Sequence, residues 1–184
     1  MSEAPTHDVP TSASDRYIVV SADGHAGLAC EDYRPYLDSK YFPAFEEYLA
    51  ERAAHREQSL AFNYDYIMGW ETDNEEGLKG AYDPSVRDKE LDSDGVAADV
   101  LFADADAVTG QASPPFGAGL FAGAIADPEL AFAGAHAHNR FLAEMCSHSP
   151  HRRGGSPWYP SPTTSTGPST RSSGWPRSRE SGAS

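Results

Sequence analysis

The chain has 184 residues, 39% apolar and 23% charged, which is room for one soluble globular domain of ordinary size. A formal charge of −14 argues against a nucleic-acid partner, because phosphate binding needs a basic face. Apolar runs such as residues 17–20 and 100–103 are far too short to span a bilayer, and residues 1–15 are polar and proline-punctuated, unlike a secretory leader. Two cysteines, Cys30 and Cys146, are too few for a disulfide framework and lack metal-type spacing. The expectation is a cytoplasmic protein with neither membrane nor nucleic acid as partner.

Residues 1–15 read as a loose N-terminal tail. Residues 17–21 (YIVVS) are a β-favouring run, expected as a strand buried on both faces, and residues 22–27 (ADGHAG) as the loop after it. Phe45, Tyr48, Leu49 and Ala53 fall at helical spacing and predict a helix over 42–56. Residues 59–82 are aromatic and acidic without a clear period, the pattern of a long loop with at most a short helix. Asp83-Pro84 then starts a helix, since the carboxylate can cap free amides and proline suits the first turn. That helix should stop near Gly95. Residues 98–103 (ADVLFA) predict a second buried strand, and 109–126, rich in Gly, Ala and Pro, a loop with short helical turns. Asp127-Pro128 repeats the start signal for a helix to about Ser147, with Leu130, Ala133, Ala137, Phe141 and Met145 on one face. Strands separated by helices point to an α/β protein with a parallel sheet of βαβ units.

The composition changes abruptly near Pro150. Residues 151–184 hold one of the 28 acids and five of the 14 basic side chains, and contain no Leu, Ile, Val, Phe or Met. Such a segment cannot bury enough apolar surface to fold, so 154–184 is expected to be a disordered tail. A sharper explanation is a change of reading frame. When residues 156–184 are back-translated and read from the last base of the preceding codon, G- and C-rich wobble choices give LALVPITHDVDRAVDEIEWLAEIAGVRGI. LALVPI has the pattern of a buried strand. The stretch from DVDRAV has apolar residues at i, i+3, i+4 and i+7, and VRGI opens a further strand. A random polar tail should not conceal the next βαβ unit of the same fold.

Asp23-Gly24-His25 at the end of a short parallel strand would set two side chains on one face, since i and i+2 point the same way. Carboxylate and neutral imidazole both ligate zinc or a similar ion, and such an ion lowers the pKa of bound water to produce a nucleophile. On these two residues alone, a turn-capping Asp23 and a merely polar His25 explain the motif as well. The wider pattern weighs for chemistry. VVSADGHAG (19–27), EDYRPYLD (31–38), YDPSVRDKELDSDGVAADVLFADA (82–105), PPFG (114–117) and DPELAFAGAHAHNRFLAEMC (127–146) together resemble the amidohydrolase-related family. The resemblance is to the branch that includes amino-carboxymuconate-semialdehyde decarboxylase, and it covers roughly residues 17–153.

That resemblance implies the N-terminal fragment of a (β/α)8 TIM-type barrel over residues 16–153. It implies a metal-dependent hydrolase or decarboxylase acting on a small-molecule substrate, with zinc as the divalent metal of the full-length counterpart. The family's first-strand metal motif is commonly His-x-His; the matching positions here are Asp23 and His25. His25 is therefore the better metal ligand, and Asp23 departs from the pattern. A barrel of this type takes about 250 residues, and one or two ligands do not make a zinc site, which needs three or four. The chain is thus expected to be truncated and inactive alone, holding little or no metal, with an open sheet edge through which it can self-associate. The alternative is a non-catalytic binding or interaction fragment.

Other motifs weigh less. His136-Ala137-His138 lies in the Asp127-capped helix, where i and i+2 point about 200° apart and cannot share an ion; surface or rim positions are expected for both histidines. Asp92-Ser93-Asp94-Gly95 echoes a calcium loop, but Val96 sits where an EF-hand needs oxygen, so a helix stop is expected. Gly117-Ala118-Gly119 lacks the third glycine and the preceding strand of a dinucleotide site. Cys30 has no placed base and is expected to be packed. Tyr64, Tyr66 and Trp70 could line a substrate entrance or pack in a core with equal ease, and 71–76 is a solvated acidic loop.

Overall fold

The computed structural model describes residues 17–60, 69, 72–103, 113–118 and 127–160. Three strands, β1 (Val20–Ala26), β2 (Ala98–Ala103) and β3 (Arg153–Gly155), form a parallel open sheet in the order β1-β2-β3. Between β1 and β2 come 3-10 turns at Cys30–Tyr36 and Ser39–Tyr41, helix α1 (Phe42–Leu60), the short α2 (Glu75–Leu78), a 3-10 turn at Lys79–Ala81, and α3 (Pro84–Ser93). A 3-10 turn at Pro115–Gly117 and helix α4 (Pro128–Ser147) separate β2 from β3. The fold is α/β, as the alternation of strand and helix patterns implies. No helix among the described residues is long and apolar enough to cross a membrane.

The helix starts follow from their aspartates. Asp83 Oδ1 accepts from the amides of Ser85 (2.8 Å) and Val86 (3.2 Å), and Asp127 Oδ1 from Glu129 (2.8 Å) and Leu130 (3.3 Å). Each carboxylate satisfies two amides that have no partner within the helix, and Pro84 and Pro128 lose nothing in the first turn. Helix α3 ends in a paired closure: Val96 N donates to Leu91 O and Gly95 N to Asp92 O, with Gly95 at φ +69°. This left-handed position is where glycine avoids a Cβ penalty. The Asp92-Gly95 stretch is therefore a helix stop and not an ion loop.

Strand β1 differs from its expected place. The pairing covers 20–26, so the segment expected as a loop is strand, and residues 17–19 precede it. Tyr17 and Ile18 are 73% and 81% exposed, not buried on both faces. The last bond at this end is Ala97 N to Val19 O; β2 begins at Ala98, so the YIV run overhangs its only described neighbour. Between Ser21 and Gly24 the register shifts: three steps on β1 oppose two on β2, from Asp99 to Leu101. This is a bulge of one extra residue.

The two sheet faces are distinct. Gly24, Ala26, Asp99, Leu101, Ala103 and Arg153 are buried, whereas His25, Val100 and Phe102 alternate onto the other face and are half-buried. Both connecting helices lie on the buried face. Arg87 of α3 bonds Asp99, and a Cβ on Gly155 would come within 2.8 Å of Leu142 of α4. The main apolar core joins Ala26, Cys30, Tyr33, Leu37, Phe45 and Leu101 to Ala133, Ala137, Phe141, Leu142 and Met145 of α4. The α4 face expected from spacing is present, widened by Ala131, Gly134, Ala135, His138 and Leu142, while Leu130 is half-buried. Gly134 is required: a Cβ there would collide with the Pro115 carbonyl.

A buried ionic network lies at the amino end of the sheet. Asp99 Oδ2 accepts from Arg87 Nε at 2.5 Å, and Asp99 Oδ1 lies 3.4 Å from Arg153 Nε. Arg153 Nη2 reaches Asp88 Oδ1 at 2.6 Å, and its Nη1 donates to Met145 O at 3.3 Å. Arg87 Nη1 donates to the carbonyls of His25 (3.0 Å) and Gly80 (3.2 Å). Burial alone would raise the Asp88 carboxyl, but the Ser149 hydroxyl and the Arg153 guanidinium hold it below the usual carboxylate range. The side chains of Asp99 and Arg153 have no exposed surface, so removing one partner strands a buried charge. Asp99→Asn should cost about 3–5 kcal/mol, against less than about 1 kcal/mol for Asp38→Asn, which breaks the half-exposed Arg140–Asp38 pair. Urea unfolding followed by circular dichroism gives both values, and similar small losses would show the network to be incidental.

Candidate functional site

Chemistry on a parallel sheet belongs at the carboxyl ends of its strands, which here are Ala26 and Ala103. His25 is one residue from the end of β1, paired in register with Phe102, and the two rings lie 6.3 Å apart at 45°. Its imidazole is half-buried on the face away from the helices. From the opposite side Arg87 bonds the His25 carbonyl, so the backbone beneath the imidazole is held by a charge-assisted bond. Gly24 makes that approach possible: a Cβ there would come within 2.6 Å of Arg87 Nη2 and 3.0 Å of the Val100 carbonyl. The glycine in Asp23-Gly24-His25 serves arginine access, a reason that the motif alone did not reveal.

Asp23 is exposed and lies at the bulge, which removes the strict i, i+2 relation to His25. The imidazole and carboxylate suit a divalent ion in donor type, but not in number. Among the described residues, no group of three or more His, Cys, Asp or Glu side chains is placed to hold a metal. His25 thus sits on a backbone bonded by Arg87, with the exposed Asp23 at the bulge before it. Tyr64, Tyr66 and Trp70 lie outside the described residues.

The histidine pair of α4 separates as the helix period requires, with His136 exposed and His138 fully buried. His138 is thus not a rim residue. Its Nδ1 lies 2.9 Å from the Tyr33 hydroxyl, which also accepts from Leu28 N at 3.2 Å. A hydroxyl offers both a proton and acceptor lone pairs, so either group can donate in this contact, according to the imidazole tautomer; Nε2 has no hydrogen-bond partner among the described residues. Tyr33, His138 and Phe141 form a ring cluster with centroids 5.8–6.0 Å apart. Burial lowers the His138 pKa from 6.5 to about 4. This group ties the loop after β1 to α4. The signal available in sequence was the apolar spacing from Gly134 to Phe141, which includes position 138.

Cys30 is fully buried, and burial pushes its thiol up to about 12, so it is packed and not a nucleophile. Near it, the Pro115–Gly117 turn carries Phe116 at φ 58°, a left-handed position strained for a bulky residue. Phe116 is held by Tyr48 (5.4 Å) and Phe45 (5.9 Å), and the Gly117 amide donates to the Tyr48 hydroxyl at 3.0 Å.

The His138 geometry has a pH consequence. Protonation is favoured in the unfolded chain, so its contribution is complete above about pH 6.5 and is lost as pH falls toward 4. The pKa difference corresponds to roughly 3 kcal/mol. Unfolding free energy measured from pH 7 to 4.5 should fall steeply, and His138→Gln should flatten that slope. An unchanged slope in the variant would place the pH dependence elsewhere.

Comparison of the chain with protein-family models, with curated proteins and with solved structures gives no match.

Proposed function

We propose that the chain is the N-terminal portion of an amidohydrolase-related (β/α)8 barrel whose full-length counterpart is a metal-dependent hydrolase or decarboxylase of a small molecule. The observation that carries this reading is the position of His25. It is an imidazole at the carboxyl end of the first parallel strand, on the face that the helices leave open. Further support comes from the winding. Sequential order β1-β2-β3 with α3 and α4 on one face is the arrangement of a singly wound barrel, whereas doubly wound sheets carry helices on both faces. In a closed barrel, His25, Val100 and Phe102 would point inward.

In this reading His25, with Asp23 as a weaker candidate, would ligate a zinc ion completed by side chains of later strands. The ion would supply the Lewis acidity that makes water nucleophilic. This chain's own contribution is rigid placement: Arg87 fixes the His25 backbone, and Gly24 lets it do so. The three strands and two candidate ligands among the described residues do not make a catalytic site, so in this reading further ligands must complete it.

A second reading, a non-catalytic interaction fragment, is favoured by one observation. Tyr17, Ile18, Val19 and Val20 are 49–81% exposed beside the free edge of β1, a surface suited to pairing with another copy. Metal analysis separates the two readings. If His25 is a ligand, zinc should shift the His25 imidazole resonances selectively, and His25→Ala should abolish the residual binding. Zinc that leaves His25 unmoved would favour the interaction fragment. Metal-dependent turnover by the purified monomer would overturn the expected inactivity.

A further inference from the structure

We infer that the open end of the β2–β3 ladder is built for the segment encoded one base out of frame after Gly155, and that this segment extends β3 in place of residues 156–184. The sheet itself shows the break. Strand β2 has six residues, but β3 pairs with only three of them: Asp99 with Arg153, Val100 with Gly154, and Leu101 with Gly155. Ser156 N still donates to Leu101 O at 2.7 Å. Continued alternation would give the Ala103 carbonyl the amide of residue 158. Instead, Trp158 N donates to Asn139 Oδ1 at 2.8 Å, and Asn139 Nδ2 donates to Trp158 O at 2.9 Å. The chain has left the ladder for the side of α4.

The register predicts what belongs there. Residue 156 would lie beside Phe102 on the half-buried face, and residue 157 beside Ala103 under the helices. The helix-facing row of β3 must be narrow, because a Cβ on Gly155 already comes within 2.8 Å of Leu142 Cγ and 3.1 Å of Cys146 Sγ. With the G- and C-rich wobble choices, the shifted frame supplies leucine, alanine, leucine and valine at 156–159, with the small residue in the narrow row and leucines on the opposite face. The valine requires no wobble choice. Trp158 has the single codon TGG and Tyr159 begins TA, so the shifted triplet is GTA. The printed frame instead puts Pro157 where the amide would point away from β2, toward a fourth strand, and proline has no donor to offer.

The remainder of the shifted segment repeats the layout already present. A strand is followed by aspartate, a helix-period stretch, glycine and a new strand, as in Asp83 to Ala103. The break also falls where the apolar residues vanish from the sequence. One base inserted within the Gly155 codon leaves residues 1–155 unchanged, because every GGN triplet encodes glycine.

The test has a genetic arm and a structural arm. Resequencing should show the shifted frame open through codon 184, and peptide mapping of the protein from its source should lack GGSPWYPSPTTSTGPSTR (154–171). A stop codon in the shifted frame, or recovery of that printed-frame peptide, overturns the inference. Amide exchange is then compared between the printed full chain and the full chain restored by one base. Continuing the ladder from Asp99 N to Arg152 O, the Ala103 amide would donate to the carbonyl of residue 156; restoration should slow its exchange by about 100-fold or more, and equal exchange in two folded chains overturns the docking. If the restored chain fails to give cooperative unfolding, the segment does not complete the sheet and the docking is again overturned. None of these readouts involves metal, so failure of the zinc reading leaves this inference standing.

Discussion

Asp99 is the interaction on which the other elements depend. It is a fully buried carboxylate on the central strand, with Arg87 at 2.5 Å on one oxygen and Arg153 at 3.4 Å from the other. Through Arg87 it reaches the β1 backbone at His25 and the turn at Gly80; through Arg153 it reaches Asp88 of α3 and the Met145 carbonyl of α4. All three strands and both connecting helices therefore meet one charge. An apolar replacement could stabilise as well, since desolvation offsets most of the Coulombic gain in such pairs. What the ionic arrangement adds is direction: each guanidinium has fixed donor geometry, so strand order and helix placement are specified together. One contact is ionic only: Asp99 Oδ1 and Arg153 Nε lie 3.4 Å apart without hydrogen-bond geometry.

The parts of the fold legible in sequence were those determined locally. Asp83-Pro84 and Asp127-Pro128 announce α3 and α4 because a capping carboxylate and a first-turn proline need no tertiary partner. Gly95 marks the end of α3 for the same kind of reason, and β2 was legible at both ends. What stayed hidden depends on distant neighbours. Strand β1 is displaced toward His25 because β2 begins only at Ala98, so the YIV run, the strongest β signal in the region, has nothing described to pair with beyond Val19. Burial of His138 depends on the Tyr33 hydroxyl 105 residues away, and helical spacing alone could not distinguish it from a rim residue.

The candidate site was legible by residue type and not by role. The sequence suggests His25 as a metal ligand, and its imidazole lies one residue from the carboxyl end of β1. The glycine before it had no expected role; Arg87 explains it. Arg87 itself drew no attention in the sequence because it lies within a charged helix, where a solvated side chain is the ordinary outcome. Its side chain is 15% exposed. A buried arginine is visible only once its carboxylate partner, twelve positions on and in a strand, is known.

The ionic network and the candidate ligand His25 lie toward opposite ends of this sheet. The network gathers at the amino end, with Asp99 and Arg153 near the starts of β2 and β3. His25 lies toward the opposite end, one residue from the end of β1. One bond joins the two regions: Arg87 Nη1 to the His25 carbonyl. The described residues are thus well packed at the amino end of the sheet, while no three ligand-type side chains are brought together to hold a metal. Order in α3, α4 and the three strands is therefore no measure of activity.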